Sequence, residues 1–150
     1  MIREATHEDL IPIVSMAVAM SKESARDYIQ VNEFKVLSLL AHALGDDSHM
    51  LLVYEKGGES CGFLLANITP YFFGDELVAQ EKTLYIKPEC RGGSAAFKLI
   101  KSYVNWAKKK EVKEIIIGVH TGINQDLVEK LYKKAGFEQM GTLFNMRGDC

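Results

Sequence analysis

The sequence predicts a single α+β domain built around a mixed, mostly antiparallel sheet. Its 150 residues are the length of one domain. Hydrophobic residues make up 47% and charged residues 25%, as in ordinary globular proteins. Segments with strand and helix periodicity follow in the order β-α-α-β-β-β-α-β-α-β, and one strand–helix–strand unit at the centre predicts a single parallel crossover. We expect one domain over residues 1–150.

The first quarter of the chain predicts a short strand and two helices. The strand covers residues 2–5, and Thr6 with Asp9 resembles a capping box that begins the first helix. A second helical pattern runs over residues 34–44 and ends at Gly45. The apolar face of the first helix recurs at helical spacing through Leu10, Ile13, Val14, Ala17 and Val18.

The middle of the chain predicts three consecutive strands. Residues 50–54 and 61–68 are apolar runs joined by a turn that contains Gly57 and Gly58, which indicates an antiparallel hairpin. An aromatic loop over 70–75 leads to a third strand over about 79–87, which Pro88 ends.

The last third predicts the crossover and the end of the sheet. A loop of small residues follows Pro88 and opens a long amphipathic helix, and residues 114–119 form an apolar strand of the buried type. A helix then begins near Asn124 and ends at Gly136, and residues 142–146 predict a last strand.

Charge is distributed unevenly along the chain. The total is 18 basic minus 20 acidic residues, or −2. Residues 1–86 hold 6 basic and 13 acidic side chains (−7), residues 87–113 hold 8 and 2 (+6), and residues 114–150 hold 4 and 5 (−1). This pattern predicts an anionic ligand at the centre and a cationic one nearby, without a field that would hold nucleic acid or an anionic membrane. A solvated helix end explains the lysines at 108–110 equally well.

The cysteines indicate a reducing compartment. Cys61, Cys90 and Cys150 are widely spaced and odd in number, which argues against a disulfide framework or a structural zinc site. The N-terminus lacks the features of a secretory signal, and no apolar run is long enough to span a membrane. We therefore expect a cytoplasmic protein with no metal, no nucleic-acid partner and no membrane partner.

The loop after Pro88 is the strongest candidate for a ligand site. Small residues let backbone N–H groups approach a ligand, and the N-terminus of the following helix favours an anion such as phosphate. The loop contains Arg91 and lies in the basic segment, but it is neither a Walker loop nor a GxGxxG fingerprint. A tight turn that binds no ligand is the alternative.

Three motifs together carry a resemblance to a known family. The stretch LYIKPECRGGSAAFKLI over 84–100 resembles the acetyl-CoA motif of the GCN5-related N-acetyltransferases (GNAT), V-x-P-x-x-R-G-x-G-x-G/A-x-x-L. The stretch LYKKAGF over 131–137 resembles the family's second signature, and IREATHEDL over 2–10 is similar to its first strand and helix. The element order matches along essentially the whole chain.

The resemblance implies acetyl-CoA as co-substrate and a set of residues that bind it. The main chain near Tyr85 and Ile86 would hold the pantetheine arm, and Asn124 would contact the same arm, although helix capping explains this asparagine equally well. Ser94 stands where the family generally has glycine, and we expect Gly93 to absorb part of the resulting strain. The residues implied in pyrophosphate binding are Arg91, Gly92, Gly93, Ser94, Ala95 and Ala96.

Two side chains are candidates for the chemistry of acetyl transfer to a primary amine. The amine must lose a proton, and Glu81 lies near where several family members have a catalytic glutamate, on the same face as Thr83 and Tyr85 if the strand alternates. Asp75 and Glu76 are the next candidates, and an ordinary solvent-facing carboxylate is the structural alternative for Glu81.

Tyr132 matches the tyrosine that donates a proton to the CoA thiolate in many relatives. A tyrosine that only packs in the core is the alternative. A ping-pong route through Cys90 has no activating partner in the sequence.

The amine acceptor is predicted only as a class. Tyr71, Phe72 and Phe73 precede Asp75 and Glu76, and this aromatic–acidic cluster suits a cationic amine on a small molecule or a protein. The same aromatic side chains suit a homodimer interface. The predicted function is N-acetyl transfer in a ternary complex, and a non-catalytic protein that binds acyl-CoA or a partner is the alternative.

Overall fold

The protein is a five-stranded sheet with helices on both faces. A computed structural model describes residues 1–119 and 121–149. The strands follow one another in space in the order β1-β2-β3-β4-β5. They are β1 (Ile2–Glu4), β2 (His49–Lys56), β3 (Glu59–Pro70), β4 (Leu77–Ile86) and β5 (Glu114–Ile116). The helices are α1 (Leu10–Glu23), α2 (Glu33–Leu44), α3 (Ala95–Lys109) and α4 (Gln125–Lys134), with short 3-10 turns at His7–Asp9 and Pro88–Cys90.

The sheet confirms the predicted α+β class. The first four strands, β1 to β4, are neighbours in sequence order, and each pairs antiparallel with the next. β5 pairs parallel with β4, and α3 forms the crossover between them. This connection is the predicted strand–loop–helix–strand unit.

The predicted last strand over residues 142–146 is wrong. Residues 137–147 have no regular secondary structure, and β5 ends at Ile116 rather than at residue 119. A strand needs a partner with free backbone groups along its length, and a three-residue β5 offers little edge to pair with. Several apolar side chains of this segment are 74–91% exposed: Met140, Leu143, Phe144 and Met146.

Two apolar clusters cover the two faces of the sheet. On one face α1 and α2 pack Ile13 and Leu40 against Val53 and Phe63. On the other face α3 packs Leu99 and Tyr103 against the opposite side of β2, β3 and β4. A third cluster joins Ile100 and Val104 of α3 to Tyr132 of α4. Burial on both sides explains why β2 and β3 are nearly continuous apolar runs.

Asp9, which the sequence predicted as part of a capping box, also anchors the first strand through Arg3. Asp9 Oδ2 accepts a hydrogen bond from the Thr6 backbone N–H at 2.7 Å, which confirms the capping prediction. The Arg3 guanidinium binds both carboxylate oxygens of Asp9, at 2.7 and 2.9 Å. This hydrogen-bonded pair holds the pKa of Asp9 below its usual value.

Among the described residues, no helix is long and apolar enough to cross a lipid bilayer.

Candidate functional site

The sheet splits between β4 and β5, and the split creates a cavity. The two strands pair over only three positions, from Val78↔Glu114 to Gln80↔Ile116. β4 continues to Ile86 with β3 on one side, whereas the chain after Ile116 leaves the sheet. The edge of β4 from residue 81 onward therefore faces an open wedge instead of another strand.

The cavity has a volume of about 650 Å³, within the range of small-molecule and cofactor sites. The split edge of β4 and the segment after β5 form two of its walls, and the inner side of α4 forms a third. The end of α1, residues 29–31 and the loop before α3 complete it. The loop and signature helix that the sequence singled out thus meet at one cavity.

A β-bulge in β4 aims Glu81 toward this cavity. The register passes from Leu65↔Thr83 directly to Ala66↔Glu81, so Lys82 has no direct partner in β3. Such an extra residue turns the following side chains to the other face of the sheet. Glu81 therefore shares the face of Ala66, on the α3 side, and the expected common face with Thr83 and Tyr85 is wrong.

Glu81 is 6% exposed, so the solvent-facing alternative is also wrong. Its Oε2 accepts one long hydrogen bond, 3.4 Å, from the Gly118 N–H. Burial raises the pKa of Glu81 to about 7, because it outweighs the opposing effects of that hydrogen bond and of the Lys82 charge. A carboxyl group with this pKa exists in both protonation states near neutral pH, as a general base requires.

Tyr132 meets Glu81 around the same glycine. Its hydroxyl donates a 2.7 Å hydrogen bond to the Gly118 carbonyl, and its ring lines the cavity. Burial first, and the nearby Glu81 charge second, raise the pKa of Tyr132 above its usual value. The phenol therefore keeps its proton at neutral pH. We call Glu81, Gly118 and Tyr132 the cavity floor.

Arg91 lies at the other end of the cavity and is already paired. Its two terminal nitrogens bind the Glu23 carboxylate at 2.6 and 2.9 Å, and its Nε donates to the Ile86 carbonyl at 2.8 Å. The Tyr85 hydroxyl also donates to Glu23, at 3.2 Å. The Arg91 hydrogen bonds are the main reason why the pKa of Glu23 is lowered. We call Glu23, Tyr85 and Arg91 the cavity mouth.

The loop residues divide between cavity, solvent and core. Gly92, Gly93 and Ala96 line the cavity, and Ser94 is exposed. Ala95, the first residue of α3, is buried in the core between this helix and the sheet. The left-handed backbone that favours glycine occurs at Gly92, with φ +96°, rather than at Gly93. Ser94 has φ −92°, which suits any residue, so the serine introduces no backbone strain.

Asn124 lines the cavity at the start of α4. Its backbone is left-handed, with φ 48° and ψ 44°, a conformation that asparagine tolerates better than most residues. Its side chain makes no capping hydrogen bond with the helix. The amide is therefore not engaged in the capping role that the sequence offered as the alternative.

The aromatic–acidic cluster lies elsewhere. Tyr71, Asp75 and Glu76 line a second depression with Lys113, whose Nζ lies 3.9 Å from Glu76 Oε2. The Phe72 and Phe73 rings lie 3.9 Å apart between centroids, and both are exposed. Neither acidic residue lines the cavity that holds Glu81 and Tyr132.

Cys90 is poorly suited to act as a nucleophile. A hydrogen bond with Cys61 and partial burial raise the pKa of its thiol to about 11, so little thiolate exists at neutral pH. This environment agrees with setting aside a ping-pong route.

Sequence reasoning missed Glu23 and Gly118. Glu23 belongs to no motif, and only the fold brings the end of α1 to the loop 68 residues later. Gly118 did carry a signal, because a glycine inside an apolar strand pattern often marks a close backbone approach.

The chain belongs to the acetyltransferase (GNAT) family, whose model matches residues 17–137. This match confirms the resemblance that the motifs indicated. No curated protein sequence matches the chain significantly.

Solved structures share the fold at low sequence identity. A "transcriptional regulator" from Bacillus halodurans C-125 has a TM-score of 0.78 at 22% identity, with 98% of each chain covered. AAC(6')-Iy in complex with a bisubstrate analog, CoA-S-monomethyl-acetylneamine, has 0.77 at 18%, with 100% of this chain and 98% of that one covered. A "predicted acetyltransferase with acetyl-CoA" from Clostridium acetobutylicum has 0.74 at 18%, with 98% and 95% covered.

Proposed function

We propose that the protein is an acetyl-CoA-dependent N-acetyltransferase that acetylates a primary amine by direct attack in a ternary complex. The observation that carries the proposal is the cavity floor, where a buried carboxyl group with a pKa of about 7 and a buried phenol contact the same glycine. A base and a proton donor in one cavity are what amine acylation needs.

The cavity suits the co-substrate in shape and in chemistry. Acetyl-CoA supplies an activated acetyl thioester at the end of a long arm with a pyrophosphate near its middle. The open edge of β4 offers main-chain groups to the amide-containing arm, and the loop with the first turn of α3 offers backbone N–H groups to the phosphates. Solved structures with the same fold contain acetyl-CoA or a CoA-based analog.

Glu81 is the proposed base. A lysine-like amine, with a pKa of about 10.4, is almost fully protonated at neutral pH and must lose a proton before it attacks. Glu81 accepts that proton directly or through one water, and its raised pKa makes the transfer less unfavourable than it would be for an exposed carboxylate. The fold supplies the rest by placing amine and thioester together.

Tyr132 is the proposed proton donor to the departing CoA thiolate. Its pKa is raised in part by the negative charge of Glu81. When Glu81 takes the proton from the amine, this charge disappears and Tyr132 becomes more acidic. The two proton transfers are therefore coupled in the productive direction, with Gly118 holding both groups in place.

The acceptor is proposed as a primary amine on a molecule of modest positive charge. The cavity is lined by the cationic side chains of Arg26, Lys82 and Arg91 and by the acidic Glu81. Glu23 of the cavity mouth offsets the charge of Arg91, so Arg26 and Lys82 supply the excess positive charge. A polycationic acceptor would meet repulsion there, so we expect a small-molecule amine or the terminal amine of a peptide. Glycosides with several amines should react poorly.

The second candidate is a non-catalytic protein that binds acyl-CoA or a partner. The observation in its favour is the cavity mouth, where Glu23 cancels the charge of the arginine expected to meet phosphate. One structure with this fold is described as a transcriptional regulator. In this case the buried Glu81 would serve only the architecture.

The test combines binding with turnover on one sample. Calorimetric titration with acetyl-CoA and with CoA measures affinity, and thiol release with a panel of amines measures transfer. We expect micromolar binding, thiol release with one class of amine, and intersecting initial-rate lines that show a ternary complex. Binding without thiol release would favour the second candidate. No binding to either ligand would overturn the proposed transfer reaction and any acyl-CoA-binding role, and would leave only the partner-binding form of the second candidate.

The homodimer is also a proposal. The exposed rings of Tyr71, Phe72 and Phe73 are its best candidate contact, because they lie outside the cavity and remain free for association. Sedimentation equilibrium should show a dimer that Phe72→Ser weakens, and a monomer at all concentrations would contradict it.

A further inference from the structure

Two histidines and an aspartate meet at the junction between α2 and β2. His42 lies in the last turn of α2, Asp46 follows Gly45, and His49 is the first residue of β2. None of the three lines the cavity described above. The cluster is thus separate from the proposed acetyl-transfer site and has no part in that chemistry.

The spacing of their ligand atoms matches a metal site. Asp46 Oδ2 lies 3.3 Å from His42 Nε2 and 3.2 Å from His49 Nδ1. The three atoms all lie within 4.8 Å of one another. Ligands at Zn–N and Zn–O distances of about 2.0–2.1 Å in a tetrahedron stand about 3.3–3.4 Å apart. The two distances from Asp46 Oδ2 to the histidine nitrogens therefore already match the separation of ligand atoms around a bound ion.

The aspartate is held in the orientation that a ligand needs. Its second oxygen, Oδ1, accepts hydrogen bonds from the Ser48 N–H at 2.8 Å and from the Ser48 hydroxyl at 2.7 Å. Oδ2 is left to face the two imidazoles, which stand edge to face with 5.4 Å between ring centroids. Partners that fix a ligating carboxylate in this way are a general feature of metal sites.

We propose that His42, Asp46 and His49 bind one divalent transition-metal ion, with Zn²⁺ as the expected occupant. Two imidazoles and a carboxylate are ligands that Zn²⁺ accepts readily, whereas Mg²⁺ and Ca²⁺ prefer oxygen alone. The side chain of His42 is 68% exposed, so the ion can enter from solvent and keep water as its remaining ligand. Direct histidine–aspartate hydrogen bonds without a metal are the competing explanation.

Cysteine spacing alone predicts no metal site, and this cluster contains no cysteine. In the pattern His-x3-Asp-x2-His, the first ligand lies in the last turn of α2, the second just beyond the end of that helix and the third at the start of β2. A bound ion would tie the end of α2 to the first residue of β2. Because the ion binds the folded protein, it should raise the melting temperature in proportion to the logarithm of its free concentration.

The experiment is a titration of chelator-treated protein with ZnCl₂ by calorimetry and with CoCl₂ by visible absorption. We expect one ion per chain at micromolar affinity, and d–d bands typical of nitrogen and oxygen ligands. His42→Ala, Asp46→Asn and His49→Ala should each weaken binding at least about tenfold, and Ser48→Ala about tenfold. Each variant is compared with wild type by its melting temperature without metal, so that a folding defect is recognised.

Two control variants test whether binding belongs to this cluster. His7→Ala removes an exposed histidine and Cys90→Ser removes a free thiol, and neither residue belongs to the cluster. Both variants should bind Zn²⁺ like wild type. The exposed His42 can be replaced with little risk to the fold, which keeps the test decisive. The proposal is overturned if no saturable binding occurs below millimolar Zn²⁺, or if His42→Ala and His49→Ala bind like wild type.

Discussion

The two ends of the cavity satisfy their charged groups in opposite ways. At the cavity mouth Arg91 and Glu23 form a two-pronged ion pair, supported by the Ile86 carbonyl and the Tyr85 hydroxyl. At the cavity floor Glu81 is buried, and within residues 1–119 and 121–149 its carboxylate accepts a single hydrogen bond, of 3.4 Å; its pKa rises to about 7. At the mouth both charged groups are paired and hydrogen-bonded. At the floor, burial disfavours the charged form of the Glu81 carboxylate.

The difference separates the part of the cavity that is suited to proton transfer from the part whose charges are already paired. A group whose charged form is poorly solvated gains by accepting a proton, which is what a base must do. A fully satisfied ion pair gains nothing from a ligand unless the ligand replaces its partner. The floor is therefore ready for proton transfer, whereas the mouth must exchange Glu23 for another anion before Arg91 can contact it.

Replacement of Glu81 in the cavity floor should cause the largest loss of turnover. Glu81→Gln keeps the shape of the side chain but removes the base, so turnover should fall about 10²–10⁴-fold. Initial rates of thiol release with a reactive amine measure it. Glu76→Gln, the runner-up base at the surface, is the matched control and should turn over like wild type. An equal loss in Glu76→Gln would assign the base to the aromatic loop instead.

The pH dependence of kcat/KM tests the same assignment of Glu81 as the base. Glu81 must be deprotonated to act as a base, so kcat/KM should rise as the pH increases through about 7 and then level off. A profile that stays flat between about pH 6 and pH 8 would contradict this assignment.

Tyr132→Phe comes next in size. Loss of the proton donor should lower turnover by about 10²-fold while the acetyl-CoA affinity stays nearly unchanged. Tyr103→Phe is the comparison variant, because that buried hydroxyl also donates a 2.7 Å hydrogen bond to a backbone carbonyl, of Ile116, and also lies near Glu81, but it does not line the cavity. Both variants should lose about 1–3 kcal/mol of stability. If both also lose turnover equally, the effect is structural.

The raised pKa of Glu81 should also make the free energy of unfolding depend on pH. The folded-state pKa of Glu81 is raised above its unfolded value of 4.5, so its contribution is favourable below that value and is lost as the pH rises through about 7. Relative to wild type, Glu81→Gln should therefore gain roughly 2–3 kcal/mol in free energy of unfolding between about pH 5 and pH 8. Urea unfolding at the two pH values measures the change, and a gain at acid pH instead would reverse the sign argued here.

The smallest expected effect is at the mouth. Glu23→Gln removes the charge that neutralises Arg91, so acetyl-CoA should bind a few-fold to about tenfold more tightly at low salt, with the gain shrinking as salt is added. Calorimetry measures it. Glu89→Gln removes an equal charge near the loop without breaking the ion pair, and it should change affinity less. If Glu23→Gln binds more weakly, the ion pair instead positions Arg91 for the ligand.

Much of the fold follows from local patterns. The hairpin of β2 and β3, the loop and helix after Pro88 and the parallel crossover rest on periodicity and turn residues that are close in sequence, and all were predicted. The last strand failed because pairing depends on a neighbour, and β5 ends after three residues. Residues 117–119 were predicted as strand, but Gly118 and Val119 line the cavity instead.

The family and the loop that opens α3 could be predicted from short motifs, and the resemblance that these motifs carry made Glu81 and Tyr132 candidates. The behaviour of these residues depends on the folded chain around them. A bulge at Lys82 turned Glu81 inward, burial raised its pKa, and the end of α1 brought Glu23 to Arg91. The physical reason is that desolvation and charge pairing depend on groups distant in sequence, and no local pattern records them.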